Sequence, residues 1–370
     1  MSDANSNEEQ QLLLLRDKID ALDLEIQQLI SERARCAQEV AEVKTKSLSA
    51  DDEVVFYRPE REAQVLTRIM ERNQGPLANE DMARLFREIM SACLALEQPL
   101  KVAYLGPEGT FTQQAAIKHF GSRVITRPMP AIDEVFREVE AGAVNYGVVP
   151  VENSTEGVVN HTLDSFLTSN VFISGEVELR IHQHMMIGPN TRIDNITRVY
   201  SHQQSLAQCR KWLDAHMPFA ERVAVSSNSE AAKRVHSEWN SAAIAGSMAA
   251  ELYDLQLVHE KIEDHPDNST RFLIVGKNRA KPSGRDKTSI IVSMKNEPGA
   301  LYSLLRPFND HEIDMTRLET RPSPHGNWTY VFFIDFIGHI DDENVQAAMN
   351  DIRQKAVEIK ELGSYPEAVL

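Results

Sequence analysis

Cysteine is scarce in this chain of 370 residues, which carries only Cys36, Cys93 and Cys209. They form no Cys-x-x-Cys pair and leave an odd one over, which excludes a disulfide framework and predicts reduced thiols in a cytoplasmic setting. Long apolar runs are missing too: none approaches the roughly 20 residues of a spanning helix. The start, Met1 to Gln11, is polar and acidic, so neither a membrane partner nor a targeting segment is expected. Positive charge is short, with a formal net charge of −16. That balance argues against nucleic acid or an anionic membrane as partner. A small anionic ligand would need local arginines to outweigh the global field. No Gly-x-Ser-x-Gly elbow, Walker loop or dinucleotide fingerprint occurs, and Gly106-Pro107-Glu108-Gly109 has the wrong spacing for the last, so no cofactor is expected. His182-Gln183-His184 puts two imidazoles on one side of a strand, but no third ligand follows at convincing spacing, and no metal is expected.

What the chain does have is a hydrophobic fraction of 42%, enough for several cores, and three successive patterns. Residues 8–98 read as helices. Leu12, Leu15, Ile19, Leu22, Ile26, Leu29, Arg33, Cys36, Val40 and Val43 follow steps of three and four, the seam of one long helix on a partner helix. Arg33 on that seam needs an anion, because an unpaired buried charge is costly. Lys44 lies close to three turns further on and shares its face. Arg16, roughly 25 Å away along the axis at 1.5 Å per residue, does not; if it joins the same small-molecule site, it must come from another chain. Pro59 opens a second helix and Gly75-Pro76 closes it; Asn79 to Gln98 forms a third, with Met82, Leu85, Phe86, Ile89 and Cys93 as its inner stripe and Glu97 extending it.

Residues 100–278 alternate short β-branched runs with helical stretches, an α/β signature in two lobes with a cleft between them. Three polar elbows stand out: Gly106 to Phe111, Val148 to Val159, and Asn268 to Phe272. In the second, Pro150 is expected to stop a buried strand, leaving Glu152, Asn153, Ser154 and Thr155 on the turn where open sheets collect ligands. Ser201 and Gln208 would face them from the other lobe. Asn278 to Lys287 reads as a linker. Residues 287–366 then give strand, helix, strand, strand (Trp328 to Phe336), helix, strand, a βαββαβ ferredoxin-like pattern.

The elbows, including Thr270-Arg271-Phe272, resemble the signature stretches of prephenate dehydratase. With both flanking modules, from about Leu12 to about Tyr365, the chain resembles the bifunctional chorismate mutase/prephenate dehydratases of bacterial phenylalanine synthesis. The resemblance implies a multidomain enzyme: an all-α mutase, a two-lobed α/β dehydratase and an α+β ACT regulatory module. It would be at least a dimer, rearranging chorismate to prephenate and converting prephenate to phenylpyruvate. In the mutase, Arg16 from a partner chain, Arg33, Arg61 and Glu62 would hold substrate, with Lys44 and Glu97 at the ether oxygen. Arg58 and Cys93 stand where the family's pattern has aspartate and serine. In the dehydratase, Thr270 would bond the leaving hydroxyl and Glu152 or Ser154 would deliver a proton. Asn153, Ser201 and Gln208 would orient substrate, with Arg271 the nearest cation. In the ACT module, Gly299, Ala300 and Leu301 with Glu319, Thr320, Arg321 and Pro322 would bind phenylalanine as allosteric effector.

Overall fold

The computed structural model describes residues 2–46, 57–322 and 330–369. Its first part is helical: Ser2–Lys46, Pro59–Arg72 and Asn79–Glu97. Pro59 sits in the first turn of its helix, where a missing N–H costs nothing. On the long helix Leu15, Ile19, Leu22, Ile26 and Leu29 are 47–58% exposed in the single chain. After Arg33 the covered line differs from the expected seam: Arg33, Ala37, Ala41 and Lys44 are partly buried, while Cys36, Val40 and Val43 turn outward. The third helix likewise buries a line the hydrophobic pattern did not show. Leu85 is exposed, whereas Ala83, Arg87 and Ser91 are buried. Arg87 donates to the Lys118 carbonyl (2.9 Å) and Ser91 Oγ accepts from the Arg123 amide (3.3 Å), so this line docks onto the next module.

The central part has two lobes, as its alternating pattern implies. The first sheet runs Ile125–Met129, Lys101–Leu105, Tyr146–Asn153, Ser269–Gly276, Phe172–Arg180 in spatial order. The second runs Gln256–His259, His184–Ile187, Ser241–Ala245, Arg198–His202, Glu221–Val225. The chain crosses to the second lobe at residues 181–183 and returns through 260–268. The returning strand Ser269–Gly276 then inserts between Tyr146–Asn153 and Phe172–Arg180, antiparallel to both. That insertion sets Thr270 beside Asn153 and Arg271 beside Glu152. Pro150 does not end its strand. The ladder continues to Asn153 past a register shift at Arg271/Phe272, the kind of irregularity that tolerates a missing donor.

The C-terminal part has the expected βαββαβ order, with strands arranged Met315–Pro322, Tyr330–Ile337, Asp286–Met294, Glu358–Pro366. Residues Trp328 and Thr329 of the expected third strand lie outside the described residues. Helices Ala300–Asp310 and Glu343–Arg353 cover one sheet face, where Ile290, Ile334 and Phe336 meet Leu304, Phe308 and Met349. From the opposite face Ile291, Val331, Phe333 and Tyr365 join one core with Val171, Ile173, Leu273 and Val275 of the first central lobe. Sheet and lobe are therefore packed as one body, since each buries apolar surface that would otherwise meet water.

Candidate active sites

In the helical part a cavity of about 250 Å³ is lined by Arg33, Lys44, Arg58, Arg61, Glu62, Cys93 and Glu97, together with Tyr57 and Phe120. Arg16 is not among the lining residues; it lies on the exposed N-terminal half of the long helix. Burial raises the pKa of Glu97, and Lys44 and then Arg33 pull the other way without cancelling it. Burial also raises that of Glu62, opposed by Arg87, whose Nε lies 3.1 Å from the Glu62 carboxylate with both side chains nearly covered. Tyr57 hydroxyl meets His119 Nε2 at 3.2 Å, and burial, then Arg87, lowers the His119 pKa to about 3. The imidazole is neutral, so it brings no further positive charge to this seam. Arg87, Tyr57 and His119 were not legible as site neighbours from sequence: nothing in a helical pattern says which polar residue docks against another module.

The groups bonded to Asn153 and Thr270 in the central part are uncharged. Asn153 Oδ1 accepts from the Thr155 amide (3.0 Å), the Thr155 hydroxyl (2.7 Å) and the Glu156 amide (3.1 Å). These bonds fix which end of the amide is which, so Nδ2 must face Thr270, whose Oγ1 accepts from it at 2.7 Å. Thr270 thereby keeps its own hydroxyl proton to donate elsewhere. Ser154 serves the strand ends: its amide donates to Ser269 O (2.9 Å) and its Oγ accepts from the Ser269 amide (3.0 Å). On the second lobe Ser201 Oγ lies within bonding distance of Asn228 Oδ1 (2.9 Å) and Ile244 O (2.7 Å). Gln183 Nε2 donates to Gln208 Oε1 at 3.3 Å and to Ser205 Oγ at 3.2 Å. Asn228, Ser205 and Gln183 are partners that spacing alone did not reveal. His182 Nδ1 is held by Glu263 at 2.7 Å, across the crossing between the lobes.

Two expected cleft residues are elsewhere. Successive strand residues point to opposite faces, and Glu152 and Arg271, a register pair one step from Asn153 and Thr270, face the C-terminal sheet. Arg271 Nη1 donates to Asp335 at 2.7 Å, Nε to Glu176 at 2.8 Å and Nη2 to Tyr365 hydroxyl at 3.0 Å. Glu152 Oε2 lies 3.2 Å from Arg317 Nε, an ion-pair distance without hydrogen-bond alignment. Arg271 as cleft cation and Glu152 as proton source are both corrected by this placement. Alternation splits the expected effector motif in the same way. Glu319 and Arg321 pair with Phe333 and Val331, whose side chains face the central lobe, whereas Thr320 pairs with helix-facing Phe332. Arg321 Nη2 bonds Asp164 of the central lobe at 2.6 Å, and Pro322 ends the strand. Gly299, in the left-handed region at φ 85°, leads into the helix begun by Ala300, with Leu301 exposed.

Family models for chorismate mutase type II, prephenate dehydratase and the ACT domain match residues 15–98, 102–280 and 288–354. A bifunctional chorismate mutase/prephenate dehydratase of Pseudomonas aeruginosa is 69% identical over 98% of this chain and 100% of its own length. The chain belongs to the bifunctional chorismate mutase/prephenate dehydratase family. A Neisseria gonorrhoeae member is 50% identical over 96% of this chain and 97% of its own. Among solved structures, the prephenate dehydratase of Arthrobacter aurescens in complex with L-Phe aligns at a TM-score of 0.67 with 31% identity, covering 72% of this chain and 90% of that one.

Proposed function

We propose that this chain rearranges chorismate to prephenate in the helical cavity and converts prephenate to phenylpyruvate in the cleft, with phenylalanine as feedback inhibitor. We divide it into a mutase domain, residues 8–98, a dehydratase domain, 100–278, and an ACT regulatory domain, 287–366. The observation that carries the dehydratase reading is the bond from Asn153 to Thr270, which leaves the Thr270 proton for the departing hydroxyl. Loss of that hydroxyl as water and of the ring carboxylate as CO2 aromatises the ring. The site needs a donor at the departing oxygen and little else. Asn153 and Ser154 hold the strand ends in register, and Ser201 and Gln208 approach the substrate from the opposite lobe.

In the mutase, Arg33, Arg61, Arg58 and Lys44 hold a dianion in its reactive conformation, and Lys44 with Glu97 meets the charge growing on the ether oxygen. Cys93 forms wall, and Glu62 is oriented by Arg87 toward the ring hydroxyl. The exposed Leu15-to-Leu29 stripe supports a homodimer in which Arg16 enters the partner's pocket, within a cytoplasmic enzyme. Gly299 to Leu301 and Glu319 to Pro322 are the effector elements, supported by the L-Phe in the Arthrobacter relative. Arg321 acts there through Asp164 rather than by direct contact.

The test is to incubate the purified full-length protein with chorismate alone and follow prephenate and then phenylpyruvate, with and without phenylalanine. Both products should form without added cofactor, and phenylalanine should suppress the second. Failure to form phenylpyruvate from added prephenate would overturn the dehydratase reading.

A further inference from the structure

Asn268 ends the return crossing between the lobes and is 2% exposed. Its backbone carbonyl accepts from the Ile181 amide (2.9 Å), so the residue is pinned where the two crossing segments meet. Its side-chain Oδ1 accepts from Asn153 Nδ2 at 3.0 Å, the same nitrogen that donates to Thr270 Oγ1 at 2.7 Å. Asn268 Nδ2, by contrast, has no hydrogen-bond acceptor among the described residues. A buried donor without an acceptor is uncommon and costly, and turning the amide over would normally cure it. Here it cannot: a flip would set Asn268 Nδ2 against Asn153 Nδ2, and Asn153 is itself fixed by the three donors on its Oδ1. The network therefore holds one amide donor in reserve beside Thr270.

We infer that Asn268 is a further substrate-contacting residue of the dehydratase, its Nδ2–H converging with the Thr270 hydroxyl on the departing ring oxygen. The inference rests on the reading of Thr270 given above. Asn268 Oδ1 and Thr270 Oγ1 both accept from Asn153 Nδ2, so the Asn268 amide belongs to the same hydrogen-bond network as the Thr270 hydroxyl. As the C–O bond breaks, its electron pair stays on that oxygen. The C–C bond to the ring carboxylate supplies the pair that completes the aromatic ring, CO2 leaves, and the oxygen departs as water with one proton that solvent restores. Asn268 gives up no proton. It stabilises the charge growing on the oxygen, which a neutral amide does at any pH.

The test uses the full-length protein with prephenate as substrate. Asn268→Ala should lower dehydratase kcat on the order of a hundredfold, as loss of one preorganised donor does, with KM changed little. Mutase turnover and the melting temperature should stay near those of the parent. Asn268→Asp keeps the acceptor for Asn153, but an ionised carboxylate cannot donate. It should be as impaired as the alanine variant at neutral pH and regain activity as the solution is acidified below about pH 5, where a carboxyl group protonates. The parent should show no such gain. A kcat within threefold of the parent for Asn268→Ala, a loss confined to KM, or an Asp variant that stays inactive in acid would each overturn the inference. Thr270→Ala separates the two claims: full loss there with an unimpaired Asn268→Ala sinks only the role of Asn268, whereas an active Thr270→Ala sinks the reading beneath it.

Discussion

The two proposed sites differ most in charge. Arg33, Lys44, Arg58 and Arg61 surround the mutase cavity, whereas the groups joined to Thr270 are amides and hydroxyls. The chemistry explains the difference. A unimolecular rearrangement offers no bond for a proton donor to break, so its catalyst must work by orientation and by electrostatic stabilisation along the breaking ether. Loss of hydroxide and CO2 is driven by aromatisation, and cations beside the carboxylate would stabilise the group that has to leave. The dehydratase cleft meets that demand by strand alternation: the charges next to Asn153 and Thr270, Glu152 and Arg271, are turned to the back of the sheet. There they join Asp335 and Arg317 of the ACT sheet, so the strand that bears Thr270 is also a strand that the C-terminal sheet holds.

The contrast breaks most sharply at Thr270. Thr270→Ala should cut phenylpyruvate formation on the order of a thousandfold and leave prephenate formation from chorismate unchanged. Loss of both activities in a folded protein would mean that the sites are not separate. Next in size is the mutase. Arg33→Ala and Arg16→Ala should each lose mutase activity about a hundredfold, and mixed dimers of the two should recover part of it. No recovery, once mixed dimers are isolated through different affinity tags on the two chains, would overturn Arg16 as a residue of the partner's pocket.

How much of this was legible beforehand depends on distance along the chain. Module order, lobe order and the βαββαβ pattern follow from local periodicity, which the residues carry themselves. That Arg33 and Lys44 share a face follows from helix pitch, and both line the cavity. The alternation of Glu152 against Asn153 was equally available, but which face was the cleft was not. That is decided when Ser269–Gly276 returns from the second lobe and pairs at a particular register. Arg87 is harder still. Its neighbours in sequence look like those of any surface helix, and only the docking of that helix on Lys118 and Glu62 buries it.

The back of the dehydratase sheet gives a third, smaller effect. Asp335 accepts from Arg271 Nη1 (2.7 Å) and Ser289 Oγ (2.6 Å) and is almost covered. Asp335→Asn leaves Arg271 paired with Glu176 alone, and weakening one hydrogen bond to a buried charged group costs about 2 kcal/mol. Asp335→Asn should lower the melting temperature and reduce dehydratase turnover several-fold while sparing the mutase. A variant with unchanged dehydratase kinetics but reduced stability would show the ACT contact to be structural only.

The smallest effect falls on Glu97, the one carboxylate expected at the ether oxygen. Ionised, it can only accept, and its charge would oppose the charge developing there, so it should act protonated. Burial and the neighbouring cations pull its pKa in opposite directions, and in the folded chain burial prevails and the pKa is raised. The acid form is therefore present to higher pH than for an ordinary glutamate and is lost as pH rises through the raised value. Mutase kcat should fall across that window and Glu97→Gln should hold its activity through it, because an amide donates at any pH. A bound substrate dianion adds negative charge beside Glu97 and favours its protonated form further, so the descending limb should move to higher pH in the complex. Profiles of mutase kcat from acid to mildly alkaline pH would be compared for the two proteins, with the dehydratase profile as internal control. Equal mutase profiles would mean that Lys44 alone meets the ether oxygen and that Glu97 is wall.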